Sequence, residues 1–433
     1  MGQTGKKWRR ILGAALAFSL ISGCGAAASG VEDWNPAFQN ALGLTREQRL
    51  EDFDYLVSTL KDSYLCLGIH DRENPDYPAE DIFRDYREMI EETDSDEAFY
   101  SAVYSTLYLL GTYGHLWLIE PEAYQDYLSA YCDSQTDGQA DTQAEKRTRW
   151  KEVLESPGTK EGYGKLKKML EAQEDEDESE NADTETAEKK AANICILQLP
   201  ASGIAYVKID SFPAEYEEDQ KQLFSLFDSL EGYTDLIIDV TENSGGSELY
   251  WQNLLVSPFI EESISCTNYA LLADSENNRP YIENVFSEEE LHPIGELPAL
   301  PKLNREGLEA ADYYVESVLH VSPGNYRAPF EGRIWLLVGP QVYSASESFA
   351  VFCKETDFAK LVGEQTGGDG IGSLDPVFLQ LPNSGILVQY TMMYGLNPDG
   401  SSSEEAGTTP DILSDGSEDP LVTALREIEK ASH

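Results

Sequence analysis

The sequence predicts a layered α/β domain preceded by a small helical domain. Residues 45–120 carry apolar side chains at helical spacing, whereas from residue 197 onward short apolar runs alternate with amphipathic stretches. Alternating strands and helices are typical of a sheet covered by helices. A chain of 433 residues with 41% hydrophobic content can bury a sizeable core, and we expect two domains.

The first region, residues 45–120, is expected to be mainly helical. Its first helix begins at a capping box, Thr45-x-x-Gln48, in which each side chain satisfies a backbone N–H of the other residue. Two further helices and a short strand follow, with the expected bounds Ala79–Ile90, Ser95–Leu110 and Tyr113–Ile119.

Residues 121–196 have the composition of an acidic low-complexity insertion. Glu174–Glu180 is almost entirely acidic, and Ala172–Ala187 has no apolar side chain larger than alanine. Such a stretch cannot bury enough apolar surface to order itself. Short helices are expected near Trp150–Leu154 and Tyr163–Leu170.

Residues 197–433 are expected to form the α/β domain. Residues 263–330 lack a regular pattern and are expected to be irregular, and a hairpin is expected to turn at Asn383-Ser-Gly385. The remaining expected elements are the strands Gly203–Asp210, Leu236–Val240, Ile334–Val338, Val377–Leu381 and Ile386–Met393 and the helices Asp219–Leu230 and Leu421–Lys430.

The N-terminus has the pattern of a secretory signal. Basic residues from Lys6 to Arg10 precede an apolar stretch, Ile11–Ile21, which is too short to span a bilayer as a stable helix. Leu20-Ile-Ser-Gly-Cys24 resembles a bacterial lipobox. That resemblance implies cleavage after residue 23 and a diacylglyceryl group on Cys24, with residues 24–44 as a tether. The protein would then be a lipoprotein on the extracytoplasmic face of the cell membrane; the alternative is an ordinary signal peptide that is cut elsewhere.

Charge and cysteine content exclude several classes of protein. The net charge of −48 repels nucleic acid and anionic lipid, so we expect no nucleic-acid partner. The five cysteines after Cys24 are scattered without a C-x-x-C pair, which indicates neither a zinc site nor a dense disulfide scaffold. Cys353 is expected to be a buried free thiol.

One stretch, Val342–Ser348, follows an apolar strand and precedes a mostly apolar helix. Ser344 would lie at the helix N-terminus, where backbone N–H groups favour developing negative charge. This is a good place for a nucleophile that makes an oxyanion. Serine is also among the commonest helix caps, so the stretch alone leaves both interpretations open.

Acyl transfer also needs a base, a group that orients the base, and an oxyanion hole. His115 is the candidate base, although a single histidine in a strand-like run is more often structural. Gly245 and Gly246 could form an oxyanion hole with the N–H of Ala345, or simply a tight turn. Glu404 could orient the imidazole, or lie on a solvated surface.

Three motifs together resemble the C-terminal processing (tail-specific) and tricorn-type serine peptidases. These are Ile237–Gly246, which ends in a glycine-rich turn, the nucleophile signature Ser344-Ala-Ser-Glu347, and Val362–Gly368. The helical segment before His115 is similar to that of the tricorn-type branch. The resemblance implies a crotonase/ClpP-like layered α/β fold, peptide or protein substrates, and neither a metal nor another cofactor.

The resemblance also assigns roles. One branch of the family has a lysine base about 25 residues after the nucleophile, where this chain has Asp369. The tricorn-type branch uses a histidine and a glutamate, which implies His115 as base and Glu404, or the adjacent Glu405, as its orienting acid. The extra serine of tricorn is replaced by Gly114.

Three functions therefore compete. The first is an exported, lipid-anchored serine peptidase that acts through an acyl-enzyme on Ser344. The second is a non-catalytic ligand-binding lipoprotein on a peptidase-like scaffold, since the resemblance also allows the binding of retinoids or fatty acids. The third is a purely structural surface lipoprotein. That function would not explain why the glycine pair, Ser344 and His115 occur together in the sequence.

Overall fold

The computed structural model describes residues 40–431 apart from 112, 133–146, 178–191, 307, 372–374, 415 and 417. The predicted signal peptide, Cys24, most of the tether and residues 133–146 and 178–191 of the acidic insertion lie outside the described residues. The chain divides into two compact units. The first unit is Met1–Asp62, His70–Glu185 and Val377–Tyr390, and the second unit is Ser63–Ile69, Thr186–Pro376 and Thr391–His433.

Regular elements cover most of the described residues. The helices are α1 Arg46–Ser63, α2 Leu67–Glu73, α3 Ala79–Glu92, α4 Asp96–Leu110, α5 Pro121–Cys132, α6 Thr148–Leu154, α7 Pro157–Asp177, α8 Glu217–Asp228, α9 Glu248–Tyr250, α10 Arg279–Val285, α11 Ala345–Thr356, α12 Ser403–Ala406 and α13 Pro420–Ala431. The strands are β1 Trp117–Leu118, β2 Ile194–Leu199, β3 Ile204–Ile209, β4 Asp235–Asp239, β5 Ile264–Leu272, β6 His292–Pro293, β7 Tyr313–Val321, β8 Arg333–Val338, β9 Lys360–Gly363, β10 Val377–Gln380, β11 Leu387–Tyr390, β12 Met393–Leu396 and β13 Ile412–Leu413.

The predicted helix boundaries of the first unit are confirmed by their caps. Thr45 and Gln48 form the capping box, because the Thr45 N–H donates to Gln48 Oε1 at 2.9 Å and the Gln48 N–H donates to Thr45 Oγ1 at 3.2 Å. Ser95 caps α4 by accepting from the Ala98 N–H, and α4 ends at Gly111 with φ of 88°. Local chemistry therefore fixes these ends.

A three-stranded antiparallel sheet in the order β1-β11-β10 belongs to the first unit. The predicted hairpin is confirmed as β10 and β11, although β11 ends at Tyr390 and β12 is a separate strand of another sheet. The unit boundaries differ from the predicted domain boundary, because residues 377–390 group with the helical unit rather than with the α/β unit.

The second unit is built on a six-stranded sheet in the order β13-β9-β8-β4-β3-β2, in which only β2 is antiparallel to its neighbour. The central strand β4 is buried along its whole length. Leu236 and Ile238 face a large apolar cluster that includes α8 and α11, whereas Ile237 faces a smaller cluster with α13. Helices on both faces of a mostly parallel sheet confirm the predicted layered α/β class.

The prediction that residues 263–330 are irregular is wrong. Ile264–Leu272 and Tyr313–Val321 pair along nine residues each as the antiparallel strands β5 and β7 of a four-stranded sheet, β12-β5-β7-β6. Neither strand alternates strictly between apolar and polar residues. The pairing joins segments that are far apart in sequence, so the local pattern carried little sign of it.

Within the described ranges, no helix combines the length and apolar character needed to cross a bilayer. The five cysteines after Cys24 are free, and Cys353 is fully buried in α11, as predicted.

A buried acid connects α11 to two loops of the second unit. Glu347, in the first turn of α11, is fully buried, and its Oε1 accepts a hydrogen bond from Thr408 Oγ1 at 2.6 Å. The Thr408 N–H in turn donates to Thr366 Oγ1 at 2.6 Å. Burial raises the pKa of Glu347 to about 7, against the lowering effect of hydrogen bonds from Thr366 and Thr408.

Because of this raised pKa, we expect the free energy of unfolding to depend on pH. The unfolded carboxyl ionises from pH 4.5, whereas the folded carboxyl keeps its proton to about pH 7. The folded state therefore binds more protons in this window, so the free energy of unfolding falls as pH rises from 4.5 to 7. We expect Glu347→Gln to remove about 3 kcal/mol of this fall, measured by urea unfolding across the window.

The matched control is Glu218→Gln, because Glu218 pairs with Lys221 on an exposed face. Its unfolding free energy should follow the wild type at each pH. Parallel profiles for wild type and Glu347→Gln would contradict the prediction.

Candidate active site

Ser344 occupies a strained turn between β8 and α11. Its φ of 56° and ψ of −126° lie where a residue with a Cβ is disfavoured, at a cost of about 1–3 kcal/mol. It stands at the cap position of α11, but its side chain makes no capping hydrogen bond. The residue is partly exposed, and its hydroxyl has no hydrogen bond within the described residues. A plain capping role therefore does not account for this serine.

Hydrogen bonds on either side hold the turn in place. The Ser344 N–H donates to the Gly368 carbonyl at 3.2 Å, and the Tyr343 N–H donates to Ser346 Oγ at 3.1 Å. The Ser346 hydroxyl in turn lies 2.5 Å from the Asn243 carbonyl, to which it donates. The turn is thus clamped between the loop after β9 and the loop after β4.

Gly245 lies directly against the turn. A Cβ added to Gly245 would lie 3.0 Å from both Ser344 Cβ and Ala345 N, and the φ of Gly245 is 103°. Only a glycine permits this approach without displacing Ser344. The predicted glycine turn and the predicted serine are therefore neighbours in space.

Two N–H groups remain available beside Ser344. The Gly245 N–H donates to Asn243 Oδ1 at 2.8 Å, and the Gly245 carbonyl accepts from the Phe212 N–H at 2.9 Å. A trans peptide directs its N–H opposite to its carbonyl, so the Gly246 N–H points away from Phe212. Among the described residues, the N–H groups of Gly246 and Ala345 donate no hydrogen bond. Of the three predicted oxyanion donors, Gly246 and Ala345 are therefore the two whose N–H groups are not engaged by another described residue.

Glu404 also lies beside the turn. It is 8% exposed, and the Tyr343 hydroxyl donates to its Oε1 at 3.4 Å. A Cβ added to Gly368, whose carbonyl accepts from Ser344, would lie 3.2 Å from Glu404 Cα. Glu405 is less buried, and its Oε2 accepts from the Tyr394 hydroxyl at 3.0 Å. The packing against Gly368 favours Glu404 over Glu405 as the acid of the site.

The lysine position of the other branch is a buried acid. Asp369 is 3% exposed, has a φ of 58°, and donates its N–H to the Ser403 carbonyl at 3.2 Å. Burial, followed by the charges of Asp369 and Glu404, raises the pKa of Tyr343 far above its ordinary value. Tyr343 therefore stays protonated and serves as a hydrogen-bond donor at this acidic end of the site.

His115 belongs to the first unit. The prediction that it lies on a strand is wrong, because it ends a single helical turn, Tyr113–His115, just before β1. Its φ is 57°, its side chain is partly exposed, and its ring meets the edge of Trp117 at a centroid distance of 5.2 Å. The structure thus places the predicted serine, glycines and glutamate together in the second unit and the histidine in the first.

A cleft of about 590 Å³ lies elsewhere in the second unit. It is lined by residues that include Phe259, Arg333, Trp335 and Lys360. Arg333 begins β8, whereas Ser344 follows the opposite end of that strand. This cleft is therefore not part of the candidate active site.

Four supporting residues were not predicted from the sequence. They are the groups that hold the turn and its acid, namely Asn243, Tyr343, Ser346 and Glu347. Asn243, Ser346 and Glu347 lie within the motifs Ile237–Gly246 and Ser344–Glu347, and Tyr343 directly precedes Ser344, so proximity to a motif residue was the available signal.

Comparison with known proteins gives a family match and a structural likeness. The model of peptidase family S41 matches residues 203–414. Among curated proteins, no relative matches the sequence. The crystal structure of a candidate peptidase from Parabacteroides merdae aligns with a TM-score of 0.51 and 18% identity, over 89% of this chain and 97% of that one. This likeness supports a shared fold.

Two named proteases align less well. Mature CPAF aligns with a TM-score of 0.47 and 14% identity, over 85% of this chain and 92% of that one. The photosystem II D1 C-terminal processing protease aligns with a TM-score of 0.33 and 18% identity, over 52% and 49% of the two chains. The family match spans Gly245, Gly246, Ser344 and Glu404, whereas His115 lies outside it. Through this match, residues 203–414 belong to peptidase family S41, and the chain is a serine-type peptidase.

Proposed function

We propose that the protein is an exported, lipid-anchored serine peptidase that cleaves peptide bonds through an acyl-enzyme, with Ser344 as nucleophile and His115 as base. The catalytic part of this proposal rests on the strained turn at Ser344. Beside it are two N–H groups, and the Ser344 hydroxyl makes no hydrogen bond within the described residues. Strain of this kind persists only where the surroundings impose it, and it is common at catalytic serines on strand-to-helix turns.

The proposed reaction proceeds in two steps. The His115 imidazole accepts the Ser344 hydroxyl proton while Oγ bonds to the carbonyl carbon of the scissile peptide, whose π electrons move to the oxygen. The N–H groups of Ala345 and Gly246 stabilise this oxyanion. The imidazolium then protonates the departing amine, which leaves an ester on Ser344, and water hydrolyses the ester with the same base. Glu404 accepts the other imidazole N–H and fixes the tautomer.

The absence of a lysine at position 369 supports histidine as the base. A carboxyl group such as that of Asp369 cannot replace the neutral amine that a serine–lysine dyad requires. The acidic surroundings of Tyr343 and Glu404 instead suit a base that becomes positively charged during the reaction.

The lipid anchor rests on the sequence Leu20–Cys24. A diacylglyceryl group supplies two acyl chains, and two chains suffice for stable anchoring where one does not. With the basic head and apolar stretch before it, this sequence supports attachment to the extracytoplasmic face of a membrane.

We expect Ser344→Ala to lower kcat for hydrolysis of unfolded casein by about 10⁴-fold or more, because the acyl-enzyme cannot form. His115→Ala should lower it by about 10³-fold. Ser263→Ala and His320→Ala, which change exposed residues, are the controls and should keep wild-type rates. A fluorophosphonate probe should label wild type but not Ser344→Ala. Casein hydrolysis at the wild-type rate by Ser344→Ala would reject the assignment and leave a binding role.

We expect Gly245→Ala to lower kcat by about 100-fold or more, because its methyl group would displace Ser344 and Ala345. Gly232→Ala is the matched control, since Gly232 has φ of 85° but has no atom within 4 Å of an added Cβ. Both variants carry the cost of a left-handed alanine, about 1–2 kcal/mol, which urea unfolding measures. Equal kcat values for the two variants would count against the oxyanion hole.

We expect Cys24→Ala to release the protein from membranes when it is expressed in a bacterial host. Membrane and soluble fractions would be compared, together with incorporation of an alkyne-labelled fatty acid. Cys195→Ala, which removes an exposed free thiol, should stay in the membrane fraction. Fatty-acid labelling of Cys24→Ala at the wild-type level would exclude Cys24 as the lipidation site.

A further inference from the structure

We propose that Gln389, itself held by Tyr127, is a positioning residue that maintains the conformation of His115. The proposal rests on the proposed role of His115 as the base. All three residues belong to the first unit, so the argument needs only the contacts within that unit.

The conformation of His115 needs an external restraint. Gly114 has φ of 53° and His115 has φ of 57°, so two successive residues are left-handed. A left-handed conformation is unfavourable for a residue with a Cβ, and a change of φ would turn the imidazole in another direction. The Leu116 N–H donates to the Tyr113 carbonyl at 3.2 Å, which closes the turn around Gly114 and His115.

Gln389 supplies the restraint at the His115 carbonyl. Its Nε2 donates to that carbonyl at 3.4 Å, and its Oε1 accepts from the Tyr127 hydroxyl at 2.6 Å. A backbone carbonyl can only accept, so the amide must face His115 with its nitrogen. The same amide therefore connects the histidine backbone to a tyrosine on α5.

Strand pairing places Gln389 where it can do this. Trp117 of β1 is opposite Gln389 of β11, and Leu118 is opposite Val388, so the chain just after His115 is fastened to the strand that carries Gln389. On the other side of β11, Gln389 is opposite Phe378 of β10. The register of the sheet therefore fixes the position of the Gln389 side chain relative to the His115 turn.

Packing alone does not explain a glutamine at this position. Gln389 is 1% exposed, and its neighbours on β11, from Leu387 to Tyr390, are buried as well. The ring of Tyr127 lies 4.9 Å from that of Phe378, so the surroundings are largely aromatic. An apolar side chain would be buried here without any need for partners, whereas a buried amide is tolerated only when both its ends are hydrogen-bonded. We therefore infer that the amide is needed at this position for the hydrogen bond that it donates to the His115 carbonyl.

The test compares kcat and KM for casein hydrolysis. Gln389→Met keeps the side-chain volume but removes the donor, so we expect kcat to fall about 10- to 100-fold with KM within about twofold, because the base is misplaced. Gln380→Met is the matched control, since Gln380 lies on β10 of the same hairpin and its Oε1 accepts from Ser156 Oγ at 2.8 Å. It should keep wild-type kcat, and the urea midpoints should show that both variants fold.

A double-mutant cycle distinguishes positioning from general support. If Tyr127 acts through Gln389, Tyr127→Phe lowers kcat in the wild type but has no further effect in Gln389→Met. If His115→Ala is inactive and Gln389→Met keeps wild-type kcat, the positioning role is wrong while the proposed function stands. If His115→Ala itself keeps wild-type kcat, both the base and its positioning residue are rejected.

Discussion

The active-site end of the second unit depends on the left-handed backbone of Ser344. This conformation is unfavourable on its own, so it must be imposed by atoms around it. Gly245 packs against the Ser344 side chain, the Gly368 carbonyl accepts the Ser344 N–H, and the buried helix α11 begins at the next residue. A parallel sheet supplies these partners because the loops after β4, β8 and β9 all leave from the same edge. The turn therefore depends on the sheet order rather than on any single bond.

The acidic character of the site follows from the same arrangement. Gly368 directly precedes the buried Asp369 and packs against Glu404. These two acids and the Tyr343 hydroxyl therefore lie close together beside Ser344. Glu347 lies on the first turn of α11 and joins the loops that contain Thr366 and Thr408. Burial of several acids is unfavourable in a chain with a net charge of −48. The hydrogen bonds that each buried acid accepts offset part of that cost.

The sequence predicted what depends on local chemistry. Thr45 with Gln48, Ser95 and Gly111 fix helix ends through contacts a few residues apart, and the apolar run of β4 indicates a buried strand. Long-range pairing is not predictable from a local pattern, and for this reason the sequence gives no sign of β5 and β7. In the candidate site, the motif residues could be identified from the sequence. The hydrogen bond from the Gly245 N–H to Asn243 could not, because it depends on the side-chain rotamer of Asn243. The left-handed turn at His115 likewise left no pattern in the sequence.

Backbone strain gives an argument for the site that is independent of the motifs. In the part of the chain that the structure describes, the non-glycine residues with positive φ are His115, Ser344, Asp357 and Asp369. Asp357 follows the last residue of α11, where a left-handed cap is ordinary. The other three are the proposed base, the proposed nucleophile, and the residue at the position of the lysine in the other branch. Strained residues persist where surrounding structure over-determines them, and such positions concentrate at functional sites. Backbone conformation is independent of the sequence motifs, so this coincidence supports the proposal of His115 as base, which the family match does not cover.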